Sequence, residues 1–212
     1  MIEVLVVDDH TIFRSGLRRL LGDEADMRVR EEAGSAADAM QLLRQASFDA
    51  VILDINLKGR SGLDLLKSLR REWPALPVLM VSMYPEEQFA RAALDAGANG
   101  YVAKDAEPGD LLAAIRRVAQ GGTWLSTGFA ARAREMPGRP PASDQPLHFR
   151  LTVREMQIMM AIVAGKSLTE IGADLFLSVK TVSTYRSRIL EKLQLGGNSE
   201  LVRYAMQHSL LD

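Results

Sequence analysis

Residues 4–10 read VLVVDDH, four apolar residues followed by two adjacent aspartates and a histidine. The apolar run has the composition of a buried strand, and the acid pair stands where that strand ends. Two carboxylates about 4 Å apart repel each other by about 4 kcal/mol at an effective dielectric constant of about 20. A strand that ends in such a pair therefore predicts a cation or a ligand at the end of a sheet.

Four more short apolar runs follow before residue 121, and longer stretches with helical periodicity separate them. The five runs cover 2–7, 27–33, 49–53, 77–82 and 100–103. Strands that alternate with helices indicate an α/β fold with a parallel sheet covered on both faces. The fold class predicted for residues 1–121 is therefore α/β with a five-stranded parallel sheet.

The chain changes character after residue 121. The stretch 134–146, REMPGRPPASDQP, contains four prolines and little periodicity, so we predict a linker over 122–148. Residues 149–212 predict a second, all-α domain of four short helices. Their starts are marked by capping-box pairs and a good N-cap residue. These are Thr152 with Glu155, Ser167 with Glu170, and Ser178.

Composition limits the function classes. The chain has 212 residues and no cysteine, which excludes disulfides, a thiol nucleophile and a zinc site with cysteine ligands. No apolar run reaches the roughly 18 residues that cross a bilayer, and we expect a soluble, cytoplasmic protein without a membrane partner. Residues 1–121 carry 15 Lys and Arg against 19 Asp and Glu, whereas residues 122–212 carry 11 against 8. The two halves are therefore expected to face different partners.

Chemically related residues follow the predicted strands of the first half. They are Asp8, Asp9, Asp54, Ser82 and Lys104. Because ligands of parallel sheets bind beyond the carboxyl ends of the strands, these side chains are expected at one edge. Three carboxylates, one ammonium group and Mg²⁺ sum to zero charge, and such a site can accept a phosphoryl group on one aspartate. The alternative is that the aspartates only cap a helix and form a turn.

The segment 178–193 is amphipathic when it is projected at about 100° per residue. Its apolar side consists of Val179, Val182, Ile189, Leu190 and Leu193, and its polar side of Lys180, Ser183, Thr184, Ser187, Arg188 and Glu191. Short hydroxyl side chains allow close approach to base edges, and flanking basic residues can reach phosphates. A helix, a tight turn and a basic helix in this order indicate a helix-turn-helix. The alternative is the solvated face of an ordinary helix.

Residues 1–121 resemble the receiver domain of bacterial two-component response regulators in VVDDH, VILDINLKGRSGLDLL, VLMVSMYPEE and GANGYVAKDA. The resemblance implies a flavodoxin-like fold, Asp54 as phosphoacceptor, and a sensor histidine kinase as phosphodonor. It implies Mg²⁺ held by Asp8, Asp9, Asp54 and the backbone carbonyl of Asn56. It also implies Lys104 as phosphate partner, and Ser82 and Tyr101 as the switch pair. His10 begins the next helix and is expected at the surface beside the site, with no metal bound.

Two positions depart from the pattern of that family. Lys58 stands where a proline is usual, and Met83 stands where a small residue follows the switch hydroxyl. Lys58 changes the charge and rigidity of its loop, and Met83 restricts the access of small phosphodonors. Both substitutions bear on the lifetime of the phosphorylated state.

Residues 151–211 resemble the LuxR-type helix-turn-helix domain, and the two domains together resemble a NarL/FixJ-type response regulator. The resemblance implies binding in the major groove of double-stranded DNA, with RNA polymerase as a further candidate partner. The residues assigned to DNA are Lys180, Thr181, Ser183, Thr184, Ser187, Arg188 and Lys192. The last helix often pairs two domains in this family, which implies a homodimer on phosphorylation through Leu201, Val202, Ala205 and Met206. In isolation such an apolar stripe is more often the core of a single domain.

The sequence therefore predicts a transcriptional regulator and not an enzyme. Two alternatives remain open. One is a Mg²⁺-dependent phosphohydrolase that forms an aspartyl phosphate at Asp54, which leaves the C-terminal helices unexplained. The other is a regulator that binds DNA regardless of phosphorylation, with its first domain serving only for dimerisation.

Overall fold

The computed structural model describes residues 1–57, 61–83, 86–126, 146–208 and 210, with the side chains of residues 87 and 88 left out. The chain forms two compact units, Met1–Pro137 and Gly138–Asp212. None of the helices in these described ranges is long and apolar enough to cross a membrane.

The first unit alternates strands and helices, as the sequence predicts. The strands are β1 (Ile2–Val7), β2 (Met27–Ala33), β3 (Ala50–Asp54), β4 (Val78–Ser82) and β5 (Gly100–Ala103). The helices are α1 (Thr11–Gly22), α2 (Ala36–Gln45), α3 (Gly62–Glu72), α4 (Glu86–Asp95) and α5 (Pro108–Ala119). All strand pairs are parallel, in the order β2-β1-β3-β4-β5. The predicted α/β fold class is confirmed.

Both faces of the sheet are buried. On one face, Val4, Ile52 and Val81 form a core with residues of α1 and α5. The residues that alternate with them, such as Leu5 and Met80, are also fully buried. Strands buried on both faces carry apolar residues at nearly every position, so in β3 and β4 the polar side chain stands only at the end of the strand.

The strand register decides which polar residues meet. In the parallel pair β1 and β3, Val7 lies opposite Leu53, so Asp8 and Asp54 leave the sheet at the same level. Neighbouring strands lie about 4.8 Å apart. The strand order reverses at this pair, which is where open parallel sheets bind their ligands.

The second unit consists of four α-helices after a 3₁₀ turn at Leu147–Arg150. They are α6 (Val153–Val163), α7 (Leu168–Leu175), α8 (Val179–Leu193) and α9 (Asn198–Gln207). The predicted capping boxes at Thr152 and Ser167 are present, and the Ser178 side chain accepts a hydrogen bond from the amide of Thr181. Gly165 follows α6 in the left-handed conformation, with φ +83°, and Gln194 takes the same conformation after α8.

The predicted linker of 122–148 stays a prediction, since residues 127–145 lie outside the described ranges. Its two ends pack onto the folded units. Trp124 forms a parallel bridge with Gly100 of β5. His148 is buried and lies 3.1 Å from the hydroxyl of Tyr204.

Gly62→Ala tests how closely α3 approaches the end of β3. A Cβ atom at this position would lie 1.9 Å from the backbone oxygen of Asp54 and 2.9 Å from its carbonyl carbon. Since backbone atoms cannot yield as a flexible side chain can, we expect a loss of about 2–4 kcal/mol in the free energy of unfolding. Urea denaturation measures it. Gly16→Ala is the control, because a Cβ atom at this position of α1 would meet nothing within 4 Å. If Gly62→Ala leaves the free energy of unfolding unchanged, the close approach of α3 to β3 is contradicted.

Candidate functional site

Three aspartates and a lysine converge at the carboxyl edge of the sheet. Asp8 and Asp9 follow β1, Asp54 is the last residue of β3, and Lys104 follows β5. Lys104 Nζ lies 2.6 Å from Asp8 Oδ2 and 2.9 Å from Asp54 Oδ2. Asp8 and Asp54 are buried, and the Lys104 side chain is 6% exposed. The ammonium group therefore bridges the ends of β1 and β3 in a place where water screens little of its charge.

Two contacts hold Lys104 in this bridge. Its backbone amide donates a hydrogen bond to the carbonyl of Ser82 (2.8 Å), which ties the end of β5 to the end of β4. Its ammonium group lies 4.6 Å from the centre of the Phe13 ring. A cation over an aromatic face is attracted by the ring quadrupole. The sequence analysis missed Phe13, because an aromatic residue in an amphipathic helix has no signal that separates a cation contact from core packing.

The negative charge of the cluster exceeds the positive charge. Burial raises the pKa of Asp54 to about 6, and the nearby charge of Asp8 adds to the rise while Lys104 opposes it. The backbone amide of Asn56 also hydrogen bonds to this carboxylate and favours its ionised form. One ammonium group is thus too little to keep the pKa of Asp54 at its ordinary value.

The donor atoms fit a small, hard divalent cation. Asp8, Asp9 and Asp54 each contribute a carboxylate oxygen within a cluster whose ligand atoms lie within 4.8 Å of one another. Asp8 Oδ2 and Asp9 Oδ1 are buried, with Lys104 Nζ 2.6 Å from the former and His10 Nδ1 3.0 Å from the latter. Clustered carboxylate oxygens of this kind suit Mg²⁺, which prefers hard oxygen ligands.

The structure places His10 at the surface beside the site, as expected. Its side chain is 63% exposed, and Nδ1 lies 3.0 Å from both Asp8 Oδ1 and Asp9 Oδ1 and 3.9 Å from Asp54 Oδ2. His10 is the N-cap residue of α1, and its amide donates a hydrogen bond to Asp8 Oδ1. Its absence from the metal ligands stays a prediction. A ring nitrogen remains a poor ligand for Mg²⁺.

The alternative that the acid pair only caps α1 does not account for this geometry. The N-cap residue is His10, and α1 has no side-chain cap. The carboxylates of Asp8 and Asp54 instead meet at Lys104. The arrangement is therefore a charge cluster, built where the strands end.

The loop after β3 supplies two other predicted positions. Asn56 forms an antiparallel bridge with Ser61, which brings the loop back beside Asp54. The role of the Asn56 carbonyl as a metal ligand stays a prediction. Lys58 lies outside the described residues. Met83 is 64% exposed directly after β4, and its effect on access to the site stays a prediction.

Ser82 and Tyr101 both have no exposed surface. Ser82 ends β4 and lies opposite Ala103 of β5. Tyr101, two residues before Ala103 in β5, lies opposite Met80 of β4. The two predicted switch residues thus occupy adjacent strands. The Tyr101 ring is buried in this conformation of the protein.

Helix α8 presents the predicted polar face to solvent. Lys180, Thr184, Ser187 and Arg188 are exposed, and Thr181 and Ser183 are half-buried. Val182, Ile189 and Leu193 are buried on the opposite side, whereas Val179, expected on the apolar side, is 46% exposed in the first turn. The Thr184 hydroxyl donates to the carbonyl of Lys180, and the Ser187 hydroxyl donates to that of Ser183.

Lys192 does not join the exposed basic face. Its ammonium group lies 2.6 Å from Glu155 Oε2, and the Glu155 side chain is 4% exposed. Glu155 also accepts the amide of Thr152 in the capping box of α6. Burial raises the pKa of the Glu155 carboxyl, but the hydrogen bonds from Lys192 and Thr152 outweigh burial and lower this pKa below its ordinary value. The assignment of Lys192 to DNA stays a prediction, and this ion pair gives its charge a partner inside the domain.

The predicted dimer residues of α9 divide into two groups. Leu201 and Ala205 are fully buried within the second unit, so they cannot form a seam between two copies in this conformation. Val202 is half-buried and Met206 is 64% exposed. The stripe is thus mainly core, and the surface that remains for a partner consists of Val202 and Met206.

A five-stranded parallel sheet with an aspartate cluster at its carboxyl edge, followed by a helix-turn-helix unit, is the architecture of a DNA-binding response regulator. Comparison with known proteins gives the same class. The response regulator receiver domain matches residues 4–116, and the bacterial regulatory proteins of the luxR family match residues 150–205. The chain belongs to the NarL/FixJ-type response regulators of two-component systems, as the sequence indicated.

Full-length relatives support this assignment. The chain is 34% identical to response regulator UvrY of Escherichia coli (strain K12) over 210 residues, which cover 99% of this chain and 96% of the relative. It is 35% identical to response regulator GacA of Pseudomonas aeruginosa over 212 residues, which cover 100% and 99%. The shared length includes both domains.

Solved structures share the fold. A LuxR-family two-component response regulator from Aurantimonas sp. SI85-9A1 is 33% identical, with a TM-score of 0.60 over 64% of this chain and 99% of that one. RcsB from Salmonella enterica serovar Typhimurium, solved on a promoter with the phosphomimetic BeF3⁻, is 24% identical, with a TM-score of 0.68 over 96% and 97%.

The raised pKa of Asp54 predicts how the stability of the metal-free protein depends on pH. The Asp54 carboxyl binds its proton more tightly in the folded protein than in the unfolded chain, where its pKa is 3.8. The stabilisation is fully present below that value and is lost as the pH rises through about 6. The side chain of Asp54→Asn cannot ionise. At pH 8 in EDTA, the free energy of unfolding of this variant should therefore exceed that of the wild type by on the order of 1–3 kcal/mol.

Thermal denaturation in EDTA at pH 5 and pH 8 measures this difference. The advantage of Asp54→Asn should shrink at pH 5, where the wild-type carboxyl is mostly protonated. Mg²⁺ should stabilise the wild type more than the variant at pH 8. An advantage that is equal at both pH values would contradict a raised pKa at this residue.

Proposed function

We propose that Asp54 accepts a phosphoryl group from the phosphohistidine of a sensor kinase, and that this modification controls DNA binding by the C-terminal domain. One observation supports the proposal most directly. The Asp54 carboxylate is buried at the carboxyl edge of the sheet, 2.9 Å from the ammonium group of Lys104 and beside the Asp8–Asp9 pair. This arrangement has a nucleophile, a fixed positive charge and further carboxylates in one place.

The transfer requires the ionised form of Asp54. A carboxylate oxygen attacks the phosphorus, the P–N bond breaks, and the imidazole nitrogen of the kinase keeps the electron pair. Lys104 lies where its charge can stabilise the phosphoryl oxygens, at no cost of reorganisation because the side chain is already held. The product is an acyl phosphate on Asp54.

Asp8, Asp9 and Asp54 would hold Mg²⁺ in this proposal, with the Asn56 carbonyl as a further ligand. When bound, Mg²⁺ neutralises the excess negative charge and orients the phosphoryl oxygens. The carboxylate oxygens of these aspartates belong to a cluster whose ligand atoms lie within 4.8 Å of one another, which supports a cation at this position. Ser82 and Tyr101, on adjacent strands beside the site, would respond to the phosphoryl group.

The exposed face of α8 would enter the major groove of double-stranded DNA. The hydroxyl hydrogens of Thr184 and Ser187 are used within the helix, so these side chains offer a methyl group and acceptor oxygens to base edges. Lys180 and Arg188 are exposed at the flanks and suit phosphate contacts. Val202 and Met206 of α9 would form the apolar part of a dimer contact in the phosphorylated protein. RNA polymerase is the partner expected of a bound regulator of transcription.

Beryllofluoride binding tests the phosphoacceptor. In the presence of Mg²⁺, the wild type should bind beryllofluoride in a saturable manner, and Asp54→Asn should not, because the acyl oxygen that the anion caps is lost. Fluorine NMR measures the bound anion. Asp105→Asn is the matched control, since Asp105 is exposed next to Lys104 and should leave binding unchanged.

Retained binding by Asp54→Asn would sink the assignment of the phosphoacceptor. Two further outcomes separate this proposal from its rivals. Repeated turnover of small phosphate esters that Asp54→Asn abolishes would favour a phosphohydrolase. Equal DNA affinity with and without beryllofluoride would favour a regulator that ignores phosphorylation.

Arg188 and Lys192 carry the same charge on one helix but should have opposite roles. Arg188→Ala should weaken binding about equally on specific and random DNA and lower the slope of log affinity against log salt by about one. Lys192→Ala should leave that slope unchanged and instead lower the free energy of unfolding by about 1–3 kcal/mol, because Glu155 stays buried without its partner. Fluorescence anisotropy at several salt concentrations and urea denaturation measure the two effects. The DNA assignment is wrong if the slope changes for Lys192→Ala and not for Arg188→Ala.

A further inference from the structure

The segment that leaves α5 lies along the outer edge of β5. Trp124 donates its amide to the carbonyl of Asn99 (3.0 Å), and its carbonyl accepts the amide of Tyr101 (3.3 Å). These two bonds form a parallel bridge around Gly100. The Trp124 side chain packs against the core between the sheet, α1 and α5. The segment thus continues the sheet beyond its last strand.

Gly100 is the residue that allows this close approach. A Cβ atom there would lie 2.8 Å from the carbonyl oxygen of Trp124 and 3.1 Å from Trp124 Cβ. Any larger residue would push the segment away from the strand, because the nearest atom belongs to the backbone.

A second contact fixes the end of the same segment. The amide of Ser126 donates a hydrogen bond to Glu86 Oε1 (2.8 Å). Glu86 is the first residue of α4, only four positions after Ser82. A hydrogen bond to a carboxylate is stronger than one between neutral groups. Residues 123–126 are therefore attached both to the strand that carries Tyr101 and to the helix that begins after Ser82.

We infer that residues 123–126 form a latch, closed in the unmodified receiver and released when Asp54 is phosphorylated. The inference rests on the proposed function of Asp54. A phosphoryl group that draws Ser82 and Lys104 toward it moves the ends of β4 and β5, since the amide of Lys104 is bonded to the carbonyl of Ser82. The start of α4 follows Ser82 in the chain, so Glu86 withdraws from Ser126. The latch is the last described part of the receiver before the DNA-binding domain, and its release would carry the signal along the chain.

The two tryptophans of the chain, Trp73 and Trp124, make the latch observable. In Trp73→Phe, Trp124 is the sole tryptophan and reports on the segment directly. Adding beryllofluoride and Mg²⁺ should raise the iodide quenching constant of Trp124 by about twofold or more, because the half-buried ring becomes accessible to solvent. The same addition to Trp73→Phe with Asp54→Asn should change nothing.

Glu86→Ala should open the latch without phosphorylation. The unmodified variant should bind DNA about tenfold more tightly than the unmodified wild type, because one charge-assisted bond no longer favours the closed state. Glu107→Ala is the matched control, since it removes an exposed glutamate at the start of α5 that forms no side-chain cap. Gly100→Ala attacks the other contact and should act in the same direction, which keeps the inference testable if one variant folds poorly.

The outcomes separate the latch from the function on which it rests. If beryllofluoride binds and changes DNA affinity while the quenching of Trp124 stays constant, the latch is overturned and the proposed function stands. The latch is also overturned if Glu86→Ala and Gly100→Ala both behave as the wild type does. If beryllofluoride does not bind at Asp54, both proposals fail together.

Discussion

The ion pairs of Lys104 with Asp8 and Asp54 are the interaction on which the first domain depends. Strand order and register bring two buried carboxylates to the same level at the ends of β1 and β3, where they would repel each other. Lys104 reaches them from β5, which lies two strands beyond β3 in the sheet. The cluster can form only if β1, β3, β4 and β5 are all in place, so the chemistry of the site and the topology of the sheet require one another.

The remaining imbalance gives the site its responsiveness. One ammonium group leaves negative charge in excess, and burial keeps the pKa of Asp54 near 6. A site that is not fully neutralised by its own side chains has a standing affinity for cations, and the balance shifts again when phosphate arrives. The second domain shows the opposite case. Glu155 and Lys192 neutralise each other within a capping box, and their charges serve packing.

The sequence predicted the strands to within a residue because β1, β3, β4 and β5 are mostly apolar and several helix starts carry capping residues. It predicted the members of the carboxylate cluster because the aspartates and Lys104 stand at, or directly after, the ends of these apolar strands. Side-chain direction was harder to predict. The cap position of His10 turns its ring toward the aspartates, and a basic residue on a polar helix face, Lys192, is drawn inward by a glutamate 37 positions away in sequence. Leu201 and Ala205 show the same limit, because periodicity cannot tell a core stripe from a dimer stripe.

The position of Trp124 bears on where the first domain can be cut. The two edge strands of the sheet are β2 and β5. β2 carries the exposed, charged residues Arg28 and Arg30, whereas β5 has the sequence GYVA and no charge. An uncharged edge strand is a template for pairing with other chains. Trp124 pairs with Gly100, the first residue of this strand. A fragment that stops at residue 121, the boundary that the sequence suggested, would lose this pairing, whereas one that includes Ser126 keeps it. The segment proposed above as a latch would therefore also shield part of an edge strand.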